Sequence, residues 1–190
     1  MPNLYSQQQK EKIENLFRIN DWYGKREKYT FALTQLTDQL LSAEEETTLE
    51  ELLDKLTPSS VLDYGSGYGL AIDHLKKKYP NIKFVKYDPF VPEYSIRPQE
   101  KFDLVVSHRV LRIVEPEFKE QVVQDMYNLT KGHLVLSILL YEVDGISYSW
   151  WTELLSKYNI LQQGLGLPQY RQGYDNKYYN ISNAGFLIKK

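Results

Sequence analysis

The stretch Asp63-Tyr64-Gly65-Ser66-Gly67-Tyr68-Gly69 decides the fold of this 190-residue chain. It follows a short apolar run at residues 61–62 and precedes residues 70–79, whose apolar positions repeat at helical spacing. A strand that passes through glycines directly into a helix brings bare backbone close to a ligand, where the first N–H groups of the helix point outward. The stretch therefore predicts a nucleotide-like cofactor at this turn.

The spacing of the glycines discriminates between classes of cofactor. The dinucleotide fingerprint requires glycine at its first, third and sixth positions, and the sixth position here is Leu70. NAD is therefore disfavoured. Asp88 ends the next apolar run, about 20 residues beyond the glycines, where a carboxylate can accept hydrogen bonds from both hydroxyls of a ribose.

From Ser60 onward, short apolar runs alternate with helical stretches, which is typical of strand–helix–strand units around a parallel sheet. We predict an α/β, Rossmann-like, mostly parallel sheet with helices on both faces and an antiparallel last strand. Residues 1–58 are expected to form a helical segment packed on a core of residues 59–190, within a single domain. The expected strands are 61–64, 83–87, 102–107 and 134–140, with a terminal pair at 177–180 and 186–189 joined around 183–185; the expected helices span 70–79 and begin near Pro116 and after Ser147.

Within the N-terminal segment, helical spacing at Tyr29, Leu33, Leu36 and Leu40 predicts one helix, and capping patterns at residues 6–9 and 42–45 predict the starts of two others. Residues 89–101 are too few for the usual helix and third strand, which need about a dozen residues or more. We therefore expect no helix there, a third strand reduced to a few residues near 94–96, and a loop that supplies the wall for an adenine.

Residues 61–69 resemble the first motif of class I S-adenosylmethionine-dependent methyltransferases, and Asp88 resembles the family's acidic residue after the second strand. Residues 102–117 look like the fourth-strand segment of small members, and the chain is similar to compact members from bacteria and their phages. The resemblance implies S-adenosylmethionine as cofactor and an acceptor that the sequence does not identify. It places the cofactor at Asp63, Tyr64, Gly65, Ser66, Gly67, Gly69, Asp88, Pro89, Ser107 and His108.

His108 lies at the end of the fourth-strand segment and can act as a general base where the acceptor must lose a proton. The alternative is a loop histidine that hydrogen-bonds the cofactor or the backbone. The family pattern has Asp, Glu and His where this chain has Arg109, Arg112 and Ile113, so an inherited catalytic role for this segment stays open. A catalytically silent cofactor- or partner-binding module and another Rossmann-type nucleotide enzyme are the alternatives to an active methyltransferase.

Four residues are candidates for contact with the acceptor: Trp22, Tyr23, Arg109 and Trp150. Trp151 keeps helical spacing with Leu154 and is expected in the core instead. Residues 107–110 do not match the Asn/Asp-Pro-Pro-Tyr/Phe tetrad with which some family members hold a base. Methylation of adenine N6 or cytosine N4 is therefore disfavoured.

The composition excludes several kinds of chemistry. The chain has no cysteine, so thiolate nucleophiles, thiolate zinc sites and iron–sulfur clusters are impossible, and we expect no metal site. A formal net charge of −2 provides no overall attraction for nucleic acid, although a local patch remains possible. With neither an apolar run of membrane-spanning length nor a signal-like start, the chain is expected to be cytoplasmic.

Overall fold

A computed structural model describes residues 6–19, 29–31, 47–141, 145–166, 169–172 and 178–190. The helices are α1 (Gln7–Ile19), α2 (Leu49–Leu56), α3 (Leu70–Lys78), α4 (Pro116–Asn128) and α5 (Tyr148–Leu155). The strands are β1 (Thr30–Phe31), β2 (Thr47–Thr48), β3 (Ser60–Tyr64), β4 (Lys83–Tyr87), β5 (Phe102–His108), β6 (Thr130–Tyr141), β7 (Asn159–Leu165), β8 (Gln169–Gln172) and β9 (Tyr178–Lys189). None of the helices in these ranges is long and apolar enough to span a membrane.

The central sheet has the order β4-β3-β5-β6-β9-β7, with β8 paired to β9. The β3–β4, β3–β5 and β5–β6 pairs are parallel, whereas β9 runs antiparallel to β6. This confirms the predicted α/β class and the antiparallel last strand. The chain moves from β4 at one edge back across β3 to β5, so the connections diverge on either side of β3. Ligands of open α/β sheets bind at such a point, outside the carboxyl ends of the strands.

Alternating side chains of each strand bury opposite faces of the sheet, because the side-chain period of a strand is two. Val61 and Val106 pack with residues of α2 and α3, including Leu52 and Ile72. Leu62 and Leu136 pack on the other face, against residues of α4 and α5. Helices therefore cover both faces, as the sequence predicts, and the fully buried Trp151 of α5 is a core residue.

The N-terminal segment differs from its prediction. Helix α1 follows Ser6 as expected, but Thr30–Phe31 is a strand that pairs antiparallel with Thr47–Thr48, so the helix predicted through Tyr29 is wrong at this point. Residues 32–46, which include the rest of that helix and the capping pattern at 42–45, lie outside the described residues. The cap of α2 is instead Thr48, whose hydroxyl accepts from Glu51 N at 3.2 Å while the Glu51 carboxylate accepts from Thr48 N at 2.7 Å. The same short capping pattern occurs twice, and α2 begins at the second occurrence.

Residues 89–101 contain no helix, as predicted, but the expected short third strand is wrong. Pro92–Tyr94 forms a single 3-10 turn, and Ile96 is 88% exposed. The loop is fixed by Arg97, whose Nε and Nη2 donate to Asp125 Oδ1 of α4 at 3.0 and 2.7 Å. One ion pair between the loop and a helix thus replaces a strand at this edge.

The predicted terminal hairpin is also wrong. Residues 178–189 form one continuous strand, and no turn occurs at 183–185. Ala184 and Phe186 are fully buried against β6 and the α4–α5 face, so burial of the strand overrides the local turn signal of Asn183 and Gly185.

Candidate functional site

Three parallel strands bring the predicted cofactor residues together at one edge of the sheet. Asp63 lies beside Lys86 of β4 and Val106 of β5 in the strand register. The carboxyl ends of parallel strands share an edge, so the turn after β3, Asp88 after β4 and His108 at the end of β5 meet there. This edge is the candidate site.

The glycine turn after β3 is built from left-handed backbone. Gly65, Gly67 and Gly69 have φ values of 81°, 55° and 68°, a region that side chains disfavour. The N–H groups of Gly65 and Ser66 donate to Tyr87 O at 2.7 and 3.1 Å, which ties the turn to the end of β4. Gly69 is the N-cap of α3 and makes no side-chain cap hydrogen bond.

Neighbouring side chains leave no room for a Cβ atom at two of these glycines. A Cβ at Gly65 would lie 2.2 Å from Val110 Cγ2, and one at Gly69 would lie 2.3 Å from Lys86 Cδ. The Lys86 ammonium donates to Asp73 Oδ2 of α3 at 2.7 Å, which holds its stem across the turn. Val110 and Lys86 therefore shape the turn, and the local glycine pattern alone does not identify either.

Asp88 is bound to the turn by both of its carboxylate oxygens. Oδ2 accepts from Gly67 N at 2.8 Å, and Oδ1 accepts from Phe90 N at 2.9 Å. Burial raises the pKa of this carboxyl, while the two backbone hydrogen bonds oppose the rise. The side chain is 6% exposed, so its orientation is fixed before any ligand arrives.

Asp63 is a fully buried carboxyl at the base of the turn. Its Oδ2 accepts from the Tyr29 hydroxyl at 2.7 Å, and its Oδ1 has no hydrogen-bond partner among the described residues. Burial raises the pKa of Asp63 to about 7; the Tyr29 hydroxyl lowers it, Asp88 raises it and Lys86 lowers it. An ionised Asp63 would therefore favour a cationic ligand group at Oδ1.

His108 is buried and stacks on Tyr29, with ring centroids 4.7 Å apart and planes at 16°. Tyr29 thus touches two predicted site residues, yet sequence reasoning assigned it only to a helix. Its hydrogen bond to Asp63 spans 34 residues, and no local pattern signals a contact of that range.

The other predicted cofactor residues differ in which of their atoms face the turn. The Tyr64 side chain points into the α4–α5 core, where its hydroxyl donates to Asp125 Oδ2 at 2.9 Å, so only its backbone faces the turn. Ser66 and Ser107 are buried, and the Ser107 hydroxyl has no partner among the described residues. Pro89 is half-buried directly after Asp88.

Two of the four predicted acceptor residues lie among the described residues. Arg109 lies directly beyond β5 with φ 63°, and its N–H donates to Ser137 O at 2.7 Å. Trp150 is half-buried and packs edge-on against Trp151, with centroids 4.9 Å apart. Trp22 and Tyr23 lie outside the described residues.

Replacing Asp63 by asparagine should stabilise the ligand-free protein at alkaline pH. In the unfolded chain an aspartate loses its proton near pH 4, whereas folded Asp63 keeps it up to about pH 7. The folded state binds more protons between these values, so its stability falls as pH rises across that window. We expect the free energy of unfolding of Asp63→Asn to exceed that of the wild type by roughly 2–4 kcal/mol above neutral pH, and to depend less on pH. Urea unfolding at a series of pH values measures both.

The matched control for this measurement is Asp54→Asn. Asp54 is an exposed carboxylate that accepts from the Tyr79 hydroxyl at 3.0 Å, at the opposite end of α3 from the turn. The free energy of unfolding of this variant should change with pH as that of the wild type does. Equal slopes for all three proteins would contradict a protonated Asp63 in the ligand-free fold.

A family model described as a methyltransferase domain matches residues 37–173. Among solved structures, the fold is similar to magnesium protoporphyrin IX methyltransferase of Synechocystis PCC 6803 with bound S-adenosylmethionine: the TM-score is 0.57, the identity 14%, and 96% of this chain and 97% of that chain are covered. It is also similar to the plantazolicin methyltransferase BpumL in complex with a monoazolic desmethylPZN analog and S-adenosylhomocysteine: the TM-score is 0.50, the identity 14%, and 74% of this chain and 79% of that chain are covered. No curated protein sequence matches the chain.

Proposed function

We propose a cofactor site for this chain, which belongs to the methyltransferase domain family. Its glycine turn, Asp63 and Asp88 together hold S-adenosylmethionine for transfer of a methyl group to an acceptor. The protein is a class I S-adenosylmethionine-dependent methyltransferase. The observation that carries the proposal is the pairing of Asp88 with the backbone of the glycine turn.

The chemistry of these residues fits the cofactor. The turn is bare backbone in the left-handed region at Gly65, Gly67 and Gly69, which suits the close approach of a nucleoside. Asp88 is the carboxylate proposed to accept from the ribose hydroxyls, with Pro89 and the loop behind it forming a wall for the base. The buried Oδ1 of Asp63 is proposed to face the cationic methionine part. Tyr64, Ser66, Gly67 and Ser107 complete the proposed contacts.

The cofactor supplies an activated methyl group on a sulfonium, so the protein needs little acid–base machinery and acts mainly by alignment. Asp88 fixes the turn through Gly67, and Asp63 provides the negative charge that a cationic ligand requires. Val110 and Lys86 hold the turn in place from two sides. Rigid support of this kind keeps reacting groups in line.

The acceptor is proposed to bind beyond the ends of β5 and β6, next to His108, Arg109 and Trp150. Arg109 is held in a left-handed conformation that is strained for a residue with a side chain, and such strain is typical of functional positions. His108 is proposed as the base for an acceptor that must lose a proton. A His108→Ala variant with full turnover across the pH range would remove that role.

Calorimetric titration with S-adenosylhomocysteine (SAH) and with NADH tests the proposal without knowledge of the acceptor. We expect SAH to bind with micromolar or tighter affinity and NADH not to bind. Binding of NADH in place of SAH would overturn the proposed site. Methyl transfer from labelled S-adenosylmethionine to candidate acceptors then separates an active enzyme from a silent cofactor-binding module.

A further inference from the structure

Tyr29 reaches the candidate site from a part of the chain that precedes the sheet. Its hydroxyl donates to Asp63 Oδ2 at 2.7 Å, and its ring stacks on His108 at 4.7 Å between centroids. The side chain is 5% exposed, so both contacts lie away from solvent. One residue therefore contacts both the proposed cofactor side and the proposed acceptor side.

The backbone of Tyr29 is held from behind by α2. Tyr29 O accepts from Leu49 N at 3.1 Å, and the next two residues pair with Thr47–Thr48, where the cap of α2 forms. Tyr29 also packs in the same buried cluster as Leu52, Leu53 and Val61. These contacts anchor the side chain as firmly as a core residue.

The hydroxyl of Tyr29 acts on the charge of Asp63. Four groups surround this carboxyl: the Tyr29 hydroxyl, Asp88 and Lys86 near the end of β4, and, beyond the Tyr29 ring, His108 of β5. Burial and Asp88 favour the protonated form, whereas Tyr29 and Lys86 favour the ionised form. Of the two groups that favour ionisation, only Tyr29 donates a hydrogen bond to the carboxylate among the described residues.

We propose that Tyr29 is a positioning residue of the cofactor site, which keeps Asp63 oriented and ionised for the cationic part of the cofactor and holds the His108 ring beside it. The inference rests on the proposed function and extends the site into the N-terminal segment. Docking of this segment and binding of the cofactor then become linked, because both depend on the Asp63 carboxylate.

The test is SAH titration of Tyr29→Phe, which keeps the ring and removes only the hydroxyl. Loss of a hydrogen bond to the ionised form raises the pKa of Asp63 further, so at low pH a smaller fraction of the protein carries the carboxylate that can pair with the ammonium group of SAH. Near pH 6, a rise of one unit in the pKa of Asp63 lowers its ionised fraction about tenfold, and we expect SAH affinity to fall by the same factor. Near pH 9 the carboxyl is ionised in both proteins, so the affinity should approach the wild-type value. The side-chain carboxyl resonance of Asp63 in ¹³C NMR spectra should show its inflection at higher pH in the variant.

Tyr79→Phe is the matched control, because it removes a hydroxyl that donates to the exposed Asp54 carboxylate at 3.0 Å. It should bind SAH as the wild type does at both pH values. If the wild type does not bind SAH, the proposed function fails. If the wild type binds and Tyr29→Phe matches it at both pH values, loses affinity equally at both, or leaves the Asp63 inflection unchanged, the inference is overturned while the proposed function stands.

Discussion

Replacing Gly65 by valine should reduce SAH affinity about a hundredfold or more. The residue has φ 81°, where a left-handed conformation costs a side chain roughly 1–2 kcal/mol. A Cβ there would also lie 2.2 Å from Val110 Cγ2, and overpacking of this kind costs about 1–3 kcal/mol. Either Val110 or the turn must move to relieve the clash, and a shift of the turn displaces the backbone proposed to contact the cofactor. Calorimetric titration measures the loss, and thermal unfolding shows how much of the cost falls on stability.

The control for Gly65→Val separates the effect of backbone strain at positive φ from the effect of the steric clash with Val110. Gly145 has φ 66°, but a Cβ there would meet no atom of the described residues within 4 Å. Gly145→Ala should therefore lose some stability and keep SAH affinity within about twofold. A Gly65→Val protein that is folded and binds SAH as tightly as the wild type would show that the turn does not form the cofactor surface.

The second large effect is expected for Asp88→Asn, which changes one atom type and little volume. Both carboxylate oxygens accept from backbone N–H groups, of Gly67 and of Phe90. An amide has one oxygen, so its NH₂ group must face one of these donors, and that hydrogen bond is lost. The ribose hydroxyls lose a charged acceptor as well, and each hydrogen bond to a charged group contributes about 1.5–3 kcal/mol. We expect SAH affinity to fall about a hundredfold, measured by titration at constant pH.

Asp54→Asn serves again as the control, since it neutralises an exposed carboxylate outside the site. It should bind SAH as the wild type does. If Asp88→Asn binds SAH as tightly as the wild type, Asp88 does not bind the ribose. This result would leave the proposed role of the glycine turn unaffected.

The sheet edge that forms the candidate site could be predicted from the sequence because its signals are local. A strand, three glycines and a helix lie within one short stretch, and Asp88 follows the next strand directly. Each element is recognisable from its own period, and parallel pairing then brings the strand ends together. Lys83–Tyr87 is a strand with the predicted bounds for this reason.

Tyr29 could not be predicted in the same way. Its spacing with Leu33 and Leu36 favours a helix, whereas the structure places Tyr29 beside a strand pair and against Asp63. The terminal strand shows the same limit, since Asn183 and Gly185 favour a turn that burial of Phe186 overrides. Contacts between distant parts of the chain decide these cases, and a local pattern carries no information about them.

The loop that replaces a third strand leaves β4 with a strand partner on one side only, among the described residues. An exposed edge of this kind invites pairing with another chain and hence aggregation, which natural proteins limit with charged side chains, lysine above all. Lys83 and Lys86 lie on this strand, and each is paired, with Glu100 and Asp73 respectively, at 2.7 Å. The exposed Lys83 side chain places a charge of this kind at the edge, whereas the Lys86 side chain is only 6% exposed and supports the glycine turn instead.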